Sequence, residues 1–229
     1  MNFNSFLLIA CTFFCSCERP IDFEALDKEK GRELLDEEMD SIRNEDNASV
    51  QFDKGYTMLH GEPKEQNYSA GIRWLTLAAK NGHSRAQYFL GEAYLNGLGV
   101  SKNESEARKW LRLSAEQDDF LAQNVLAWLL VNSKDLKLDP VEAAKWFLRS
   151  AKNGYVEAQA NLSAMYRDGK GVEKNYLLAQ AWWNVAMSGD EEKAISVNPK
   201  AMGEFKPNAE EQKQITLLTL MLKRKISNL

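Results

Sequence analysis

Four tryptophans, Trp74, Trp110, Trp146 and Trp182, stand 36 residues apart with no insertion between them. The same step carries a glutamine dipeptide (Val50-Gln51, Ala86-Gln87, Ala122-Gln123, Ala158-Gln159) and a small residue (Gly55, Gly91, Ala127, Ser163). It also carries a large residue (Met58, Tyr94, Leu130, Tyr166) and a second small one (Gly71, Ala107, Ala143, Ala179). Five columns in one register do not arise by chance. A period of this size marks a repeat architecture, in which each unit buries its apolar face only against its neighbours.

Each period reads as two helices. In the second copy the first helix runs from about Arg85 to Asn96, with Ala86, Leu90, Gly91 and Tyr94 on one face at helical spacing. Gly97 ends it, because glycine takes the left-handed cap conformation without a Cβ clash. "LGVSKN" is the turn. The second helix starts at Ser105 or a neighbour and places Ala107, Trp110, Leu111 and Ser114 at i, i+3, i+4 and i+7. The closing corner is "AEQDD" here, and "AKNGH" or "AKNGY" elsewhere, with Gly82 and Gly154 as caps. Antiparallel helices pack about 8–10 Å apart, and the closest crossings need Gly, Ala or Ser. The tryptophan is the matching bulk between successive pairs. The expected fold is therefore all-α: an α/α solenoid of four 36-residue helix-turn-helix repeats, a right-handed superhelix with a concave side, flanked by N- and C-terminal helices.

Gly97-Leu98-Gly99 invites comparison with a phosphate-binding loop. It recurs as Gly169-Lys170-Gly171, and its place is taken by Gly61-Glu62-Pro63 and Ser133-Lys134-Asp135 in the other copies. A phosphate loop occurs once, after a strand. This element sits between helices in every hairpin and loses its glycines without losing length, so it is a turn.

The ends differ from the middle. "MNFNSFLLIACTFFCSC" holds an apolar run from Phe3 to Phe14 and all three cysteines, Cys11, Cys15 and Cys17. About 12 residues is too short for a membrane-spanning helix but suits the h-region of a secretory signal, although no Lys or Arg precedes it. The segment resembles a bacterial lipoprotein signal. That resemblance implies lipidation at Cys17, with Cys11, behind Leu8-Ile9-Ala10, as the alternative. Cleavage at Cys17 leaves no other thiol in the mature chain, which suits an oxidising compartment. Residues Glu18 to Asn47 carry 12 acids against 5 bases, and Phe205 to the end carries 5 bases against 2 acids. The expected division is a signal peptide (1–16), a polar tether and N-terminal helix (17–49), four repeats (50–193), and a C-terminal capping segment and helix (194–229). In that last helix Asn208 is the N-cap, and Ile215, Leu218, Leu222 and Ile226 cover the open edge of the last repeat. The net charge of −4 argues against a nucleic-acid partner, which selects a basic face.

"AQYFLGEAYLNGLGVSKNESEARKWLRLSAEQ" and "AQANLSAMYRDGKGVEKNYLLAQAWWNVAMSGD" resemble the Sel-one-like repeat, a relative of the tetratricopeptide repeat, over about Val50 to Asp190. The first copy departs from the pattern: Lys54 stands where Leu is expected, and Gly71 replaces Ala. The resemblance implies a protein-binding solenoid without cofactor or small-molecule substrate. The residues themselves offer little chemistry. His60 and His83 are the only histidines, they do not stand at metal-ligand spacing, and no G-x-S-x-G, H-E-x-x-H or Walker sequence is present. His83 occupies a helix-closing corner and reads as structural; Asp118-Asp119 and Glu191-Glu192 read as solvated acid pairs.

By analogy with tetratricopeptide repeats, the first helix of each pair faces the concave side. The open positions are then Phe52, Tyr56 and His60; Tyr88, Glu92 and Asn96; Asn124, Trp128 and Asn132; and Ala160, Ala164 and Asp168. Phe52, Tyr56, Tyr88 and Trp128 are too apolar for an idle surface and read as interface anchors. Sel-one-like lipoproteins of this length are similar to immunity partners of type VI secretion phospholipase effectors. The expected function is a non-catalytic, membrane-anchored periplasmic lipoprotein that blocks such an effector. A general periplasmic scaffold or regulatory adaptor is the alternative, and a hydrolase a distant one.

Overall fold

Ten helices and no strand make up the described residues of the computed structural model, which are 47–61, 67–197 and 205–228. Four hairpins follow one another: α1 (Ala48–His60) with α2 (Tyr68–Lys80), α3 (Ser84–Asn96) with α4 (Glu104–Glu116), α5 (Phe120–Asn132) with α6 (Pro140–Lys152), and α7 (Val156–Asp168) with α8 (Tyr176–Gly189). First helices start at 48, 84, 120 and 156, and second helices at 68, 104, 140 and 176, so the 36-residue step of the sequence is the step of the fold. Each helix packs on the next in the chain, which is the α/α solenoid expected. A short α9 (Glu191–Val197) and a long α10 (Ala209–Ser227) follow. Among the described residues no helix is long and apolar enough to cross a membrane. The signal segment with Cys11 and Cys17, the N-terminal helix up to Asp46, Glu62 and Pro63 of the first turn, and residues 198–204 lie outside the described residues.

Every second helix begins on the same device. Asn67, Asn103, Asp139 and Asn175 each accept, through the side chain, the N–H three residues on (Ala70, Glu106, Glu142, Leu178). This satisfies one of the donors a helix start leaves open. Within a hairpin the small columns meet. A Cβ on Gly55 would lie 2.9 Å from the Gly71 carbonyl, and one on Gly91 would lie 2.6 Å from Leu111 Cγ. In the last hairpin the Ser163 hydroxyl uses the same proximity to donate to the Ala179 carbonyl at 2.8 Å.

The glutamine column joins hairpins. Gln87, Gln123 and Gln159 are buried, and each donates Nε2 to the carbonyl eight residues back, that of Ala79, Ala115 or Ala151, at 3.0–3.1 Å. Those carbonyls lie in the last turn of the preceding helix, where no intrahelical partner remains. In the first two copies the glutamine Oε1 also accepts: Gln51 from Asn81 Nδ2 at 2.9 Å and Gln87 from Gln117 Nε2 at 2.7 Å.

The tryptophan column differs from expectation. The fully buried bulk is the next residue, Leu75, Leu111 and Phe147, whereas Trp74, Trp110 and Trp146 are half-buried. Two of the three carry polar partners: Lys54 Nζ lies 4.7 Å above the Trp74 ring, and Trp146 Nε1 donates to Glu142 at 3.1 Å. Lys54 thus does at the first repeat's edge what a leucine does inside. Trp182 alone of the four is buried, in one apolar cluster with Leu222 and Ile226 of α10. The C-terminal helix therefore packs on the last hairpin. It begins on Asn208 with a full capping box to Glu211.

Candidate functional site

The first helices α3, α5 and α7 each start at a closing corner, and in α3 and α5 the residue there caps the N-terminus. His83 Nδ1 accepts the Ala86 N–H at 3.2 Å, so this histidine is a helix cap. Asp119, in the same column, accepts from Leu121 and Ala122 and pairs with Arg85 at 3.3 Å. It is nearly buried, which corrects the reading of Asp118-Asp119 as a solvated pair. Asp118 takes the left-handed backbone that glycine takes at the other corners (φ 66°), and its carboxylate meets Arg149 at 2.6 Å. Glu191 and Glu192 are exposed, in the first turn of α9.

Successive first helices touch along a register of one period plus one. Phe52 meets Phe89 (ring centroids 5.9 Å), and Asn161 Nδ2 donates to Asn124 Oδ1 at 3.3 Å, each pair 37 residues apart. Around Phe89 this register gathers an aromatic cluster. Tyr56 and His60 set edge-to-face contacts on Phe89 at 5.2 and 5.4 Å, and stack on each other at 4.3 Å. Phe52 stacks on His83 at 4.5 Å, and Tyr88 adds an edge contact to Phe89 at 5.1 Å. Offset and edge-to-face geometries are the attractive ones for aromatic rings. His60 Nδ1 lies 3.2 Å from the Tyr56 carbonyl, which only accepts, so Nδ1 is the protonated nitrogen.

The structure brings Phe52, Tyr56, His60, Tyr88 and Glu92 together and leaves the others apart. Tyr56 and His60 are exposed and Phe52 is half-buried. Tyr88 is buried, 8% exposed, in the central apolar cluster. As an open anchor it is therefore a correction: Tyr88 belongs to the cluster that holds Leu126, Leu130 and Phe147, with Phe89 and the Arg85 guanidinium beside its ring. Its hydroxyl donates to the Glu92 carboxylate, and burial first, then this carboxylate, holds the phenol far above its ordinary pKa. Burial likewise raises the Glu92 carboxyl, against the Tyr88 hydrogen bond and the charges of His60 and Arg85. Asn96 and Asn132 are exposed; Asn132 Nδ2 turns back to the Trp128 carbonyl at 3.1 Å. Trp128 stands 49% exposed and has no aromatic neighbour among the described residues. Ala160 is fully buried with Ala194 of α9, so the fourth copy's open position is lost there.

Phe89, the hub of the cluster, belongs to none of the residues expected from the sequence. Its column reads Asp53, Phe89, Val125 and Asn161, which has no shared chemistry to reveal it. Between α5 and α7 lies a cleft of about 150 Å³, with Asn132, Asn161, Met165 and Asp168 in its wall. It is roughly half the smallest volume usual for a drug-sized ligand. Asp168 is paired with Arg167 at 2.6 Å, which lowers its pKa. Among the described residues no group of three His, Cys, Asp or Glu side chains is placed to hold a metal ion. The face thus offers aromatic edges, amides and one protected carboxyl, which is the chemistry of surface recognition.

Comparison with known proteins agrees with this geometry. The family model of the Sel1 repeat matches residues 48–83, 84–119, 121–155 and 156–186. A Sel1 repeat protein from Oxalobacter formigenes is similar in structure, with a TM-score of 0.62 and 27% identity over 80% of this chain and 73% of that one. The protein c5321, a protective antigen of uropathogenic Escherichia coli with an SLR fold, gives 0.47 and 25% over 87% and 50%. The immunity protein Pa5087 from Pseudomonas aeruginosa gives 0.37 and 16% over 78% and 83%. No curated protein matches the chain. Sel1 repeats are protein-interaction modules, and with four matched copies spanning more than half its length this chain belongs to the Sel1 repeat family.

Proposed function

We propose that the chain is a non-catalytic binding module of the bacterial envelope, and most concretely an immunity lipoprotein that covers and blocks a toxic phospholipase effector through the face of its first helices. The observation that carries the binding reading is the aromatic run Phe52, Tyr56, His60 and Phe89, continuous across two repeats and open at Tyr56 and His60, with Trp128 half exposed further along. Exposed aromatic side chains on a rigid scaffold are the usual anchors of interfaces, because they bury much area and lose little freedom. The effector and the envelope location rest on the sequence: a lipoprotein-type head, lipidated at Cys17 or alternatively Cys11, joined to Sel-one-like repeats. A tethered, pre-formed cradle would reach a lipase before the lipase reaches lipid.

The test is whether a phospholipase gene lies beside this chain's own gene, and whether its product binds the chain. Wild type is expected to inhibit it, and Trp128→Ala to keep helical circular dichroism while weakening the complex more than about 30-fold, about 2 kcal/mol. Unchanged affinity removes Trp128 from the site. Binding without inhibition favours the scaffold reading, and turnover by the purified chain alone overturns both. Labelling with palmitate should mark wild type and not Cys17→Ala; loss only in Cys11→Ala moves the anchor.

A further inference from the structure

The C-terminal helix has a second apolar face that the fold does not use. One face of α10 packs on the last repeat, with Ile215 and Thr219 buried and Leu222 and Ile226 against the core. On the opposite side Leu217, Leu220 and Met221 are 60, 60 and 51% exposed, the densest group of exposed large apolar side chains among the described residues. Seven residues advance a helix by nearly two whole turns. Glu210 and Arg224, one heptad before and one heptad after Leu217, therefore lie on the same outward line, and both are exposed. Among the described residues neither has an ion-pair partner. Along this line the order is acid, apolar centre, base.

That order is complementary to its own reverse. We propose that this face of α10 pairs, antiparallel, with the same face of a second copy of the chain, about a two-fold axis at Leu217. Glu210 of each protomer then faces Arg224 of the other, so the contact holds two identical ion pairs, as an isologous interface requires. Leu217 meets Leu217 on the axis, Leu220 faces Gln214, and Met221 lies along the methylene stem of Lys213. A lipid surface or an acidic peptide would also be drawn to Lys213, Arg224 and Lys225, but Glu210 on the same line would repel either. Only a partner with its own base opposite Glu210 uses all of the line. The apolar patch is three side chains per protomer, so the contact falls below the roughly 1,200 Å² of a stable interface. The dimer is accordingly weak, forming at micromolar concentration or above, and it sets two recognition faces in one assembly.

Sedimentation equilibrium of the full-length chain at low salt, over a concentration series, tests this. Wild type is expected to show a monomer–dimer equilibrium. Glu210→Arg and Arg224→Glu should each weaken it more than tenfold, and the double reversal should restore it to within about threefold. Both reversals work against the helix dipole, so recovery in the double variant has no source in a better-folded helix. Leu217→Asp, which sets two carboxylates on the axis, should leave only monomer with unchanged circular dichroism. A wild-type monomer at every concentration, single reversals that change nothing, or a double reversal that fails to recover would each overturn the proposal. So would association seen only with anionic phosphatidylglycerol vesicles, which would assign the face to lipid.

Discussion

The Ser133 hydroxyl donates to the Glu104 carboxylate at 2.5 Å, and this bond does in the third hairpin what glycines do in its neighbours. Glu104 stands in the column of Tyr68 and Pro140, the first residues of second helices. Gly99 rests against Tyr68 and Gly171 against Pro140, closely enough that a Cβ would strike the backbone carbonyl. Ser133 lies in the column of Gly97 and Gly169, and its oxygen also accepts the N–H groups of Asp135 and Leu136. The one hydroxyl is therefore used fully, one donor and two acceptors. Ser133→Ala should lower the stability of the chain by about 1–2 kcal/mol, as expected for a hydrogen bond to a charged group with two amides left open. Glu104→Gln, which keeps an acceptor, should lose less. Urea denaturation checks both; a Ser133→Ala chain as stable as wild type would mean that the turn is held elsewhere.

Gly97 and Gly99 separate backbone strain from crowding. Their φ angles are nearly the same, 74° and 70°, in the left-handed region. A Cβ at Gly97 would find nothing nearer than 3.7 Å, while one at Gly99 would lie 2.7 Å from the Tyr68 carbonyl oxygen. Gly97→Ala should then cost about 1 kcal/mol, the left-handed term alone. Gly99→Ala adds the displacement of a helix start and should cost about 2–4 kcal/mol. Equal losses at the two sites would sink the idea that the turn packs on the preceding hairpin.

The period made the hairpins and their crossings legible, because each rests on residue type at a fixed place. What the period hid is equally physical. Tyr88 is covered within the cluster that also holds Leu126, Leu130 and Phe147, and the column beside it, Asp53, Phe89, Val125 and Asn161, shares no chemistry that would announce this. Ala160 is covered by α9, which begins one period after α7, where a further first helix would start, although the glutamine column reads Ile195 there. Trp74, Trp110 and Trp146 looked like core because tryptophan is large, yet the deepest position belongs to the residue after each. Asp119 looked solvated because it sits in an acid pair, but an N-cap draws an acid inward toward open N–H groups.

Phe89 touches Phe52, Tyr56, His60 and Tyr88, so it supports the first-helix face as well as belonging to it. Phe89→Ala should lower stability by about 2–4 kcal/mol through the lost contacts and should also weaken partner binding, because Tyr56 and His60 lose their backing. Phe89→Leu should retain most of the stability but not the edge-to-face geometry. A binding defect in Phe89→Leu at near-wild-type stability, read by titration calorimetry beside thermal melts, would show that ring orientation matters. Full binding by Phe89→Ala would place the partner elsewhere on the chain.

Glu92 gives the face a signature in pH. Burial raises its carboxyl above the ordinary 4.5, more than the Tyr88 hydroxyl and the charges of His60 and Arg85 lower it. The folded chain therefore holds this proton to higher pH than the unfolded chain does. The contribution to stability is fully present below the unfolded pKa and is lost as pH rises through the folded one. Ionisation of Glu92 is therefore a net burden on folding. Gln has the same shape, carries no charge and still accepts the Tyr88 hydroxyl. Glu92→Gln should therefore melt higher than wild type at pH 7, and the gap should close as pH falls toward 4. Every other titrating group is common to the two chains, so the difference reports Glu92 alone. A lower melting temperature for Glu92→Gln at pH 7 would reverse the sign and mean that the paired charge, rather than its burial, dominates at this position.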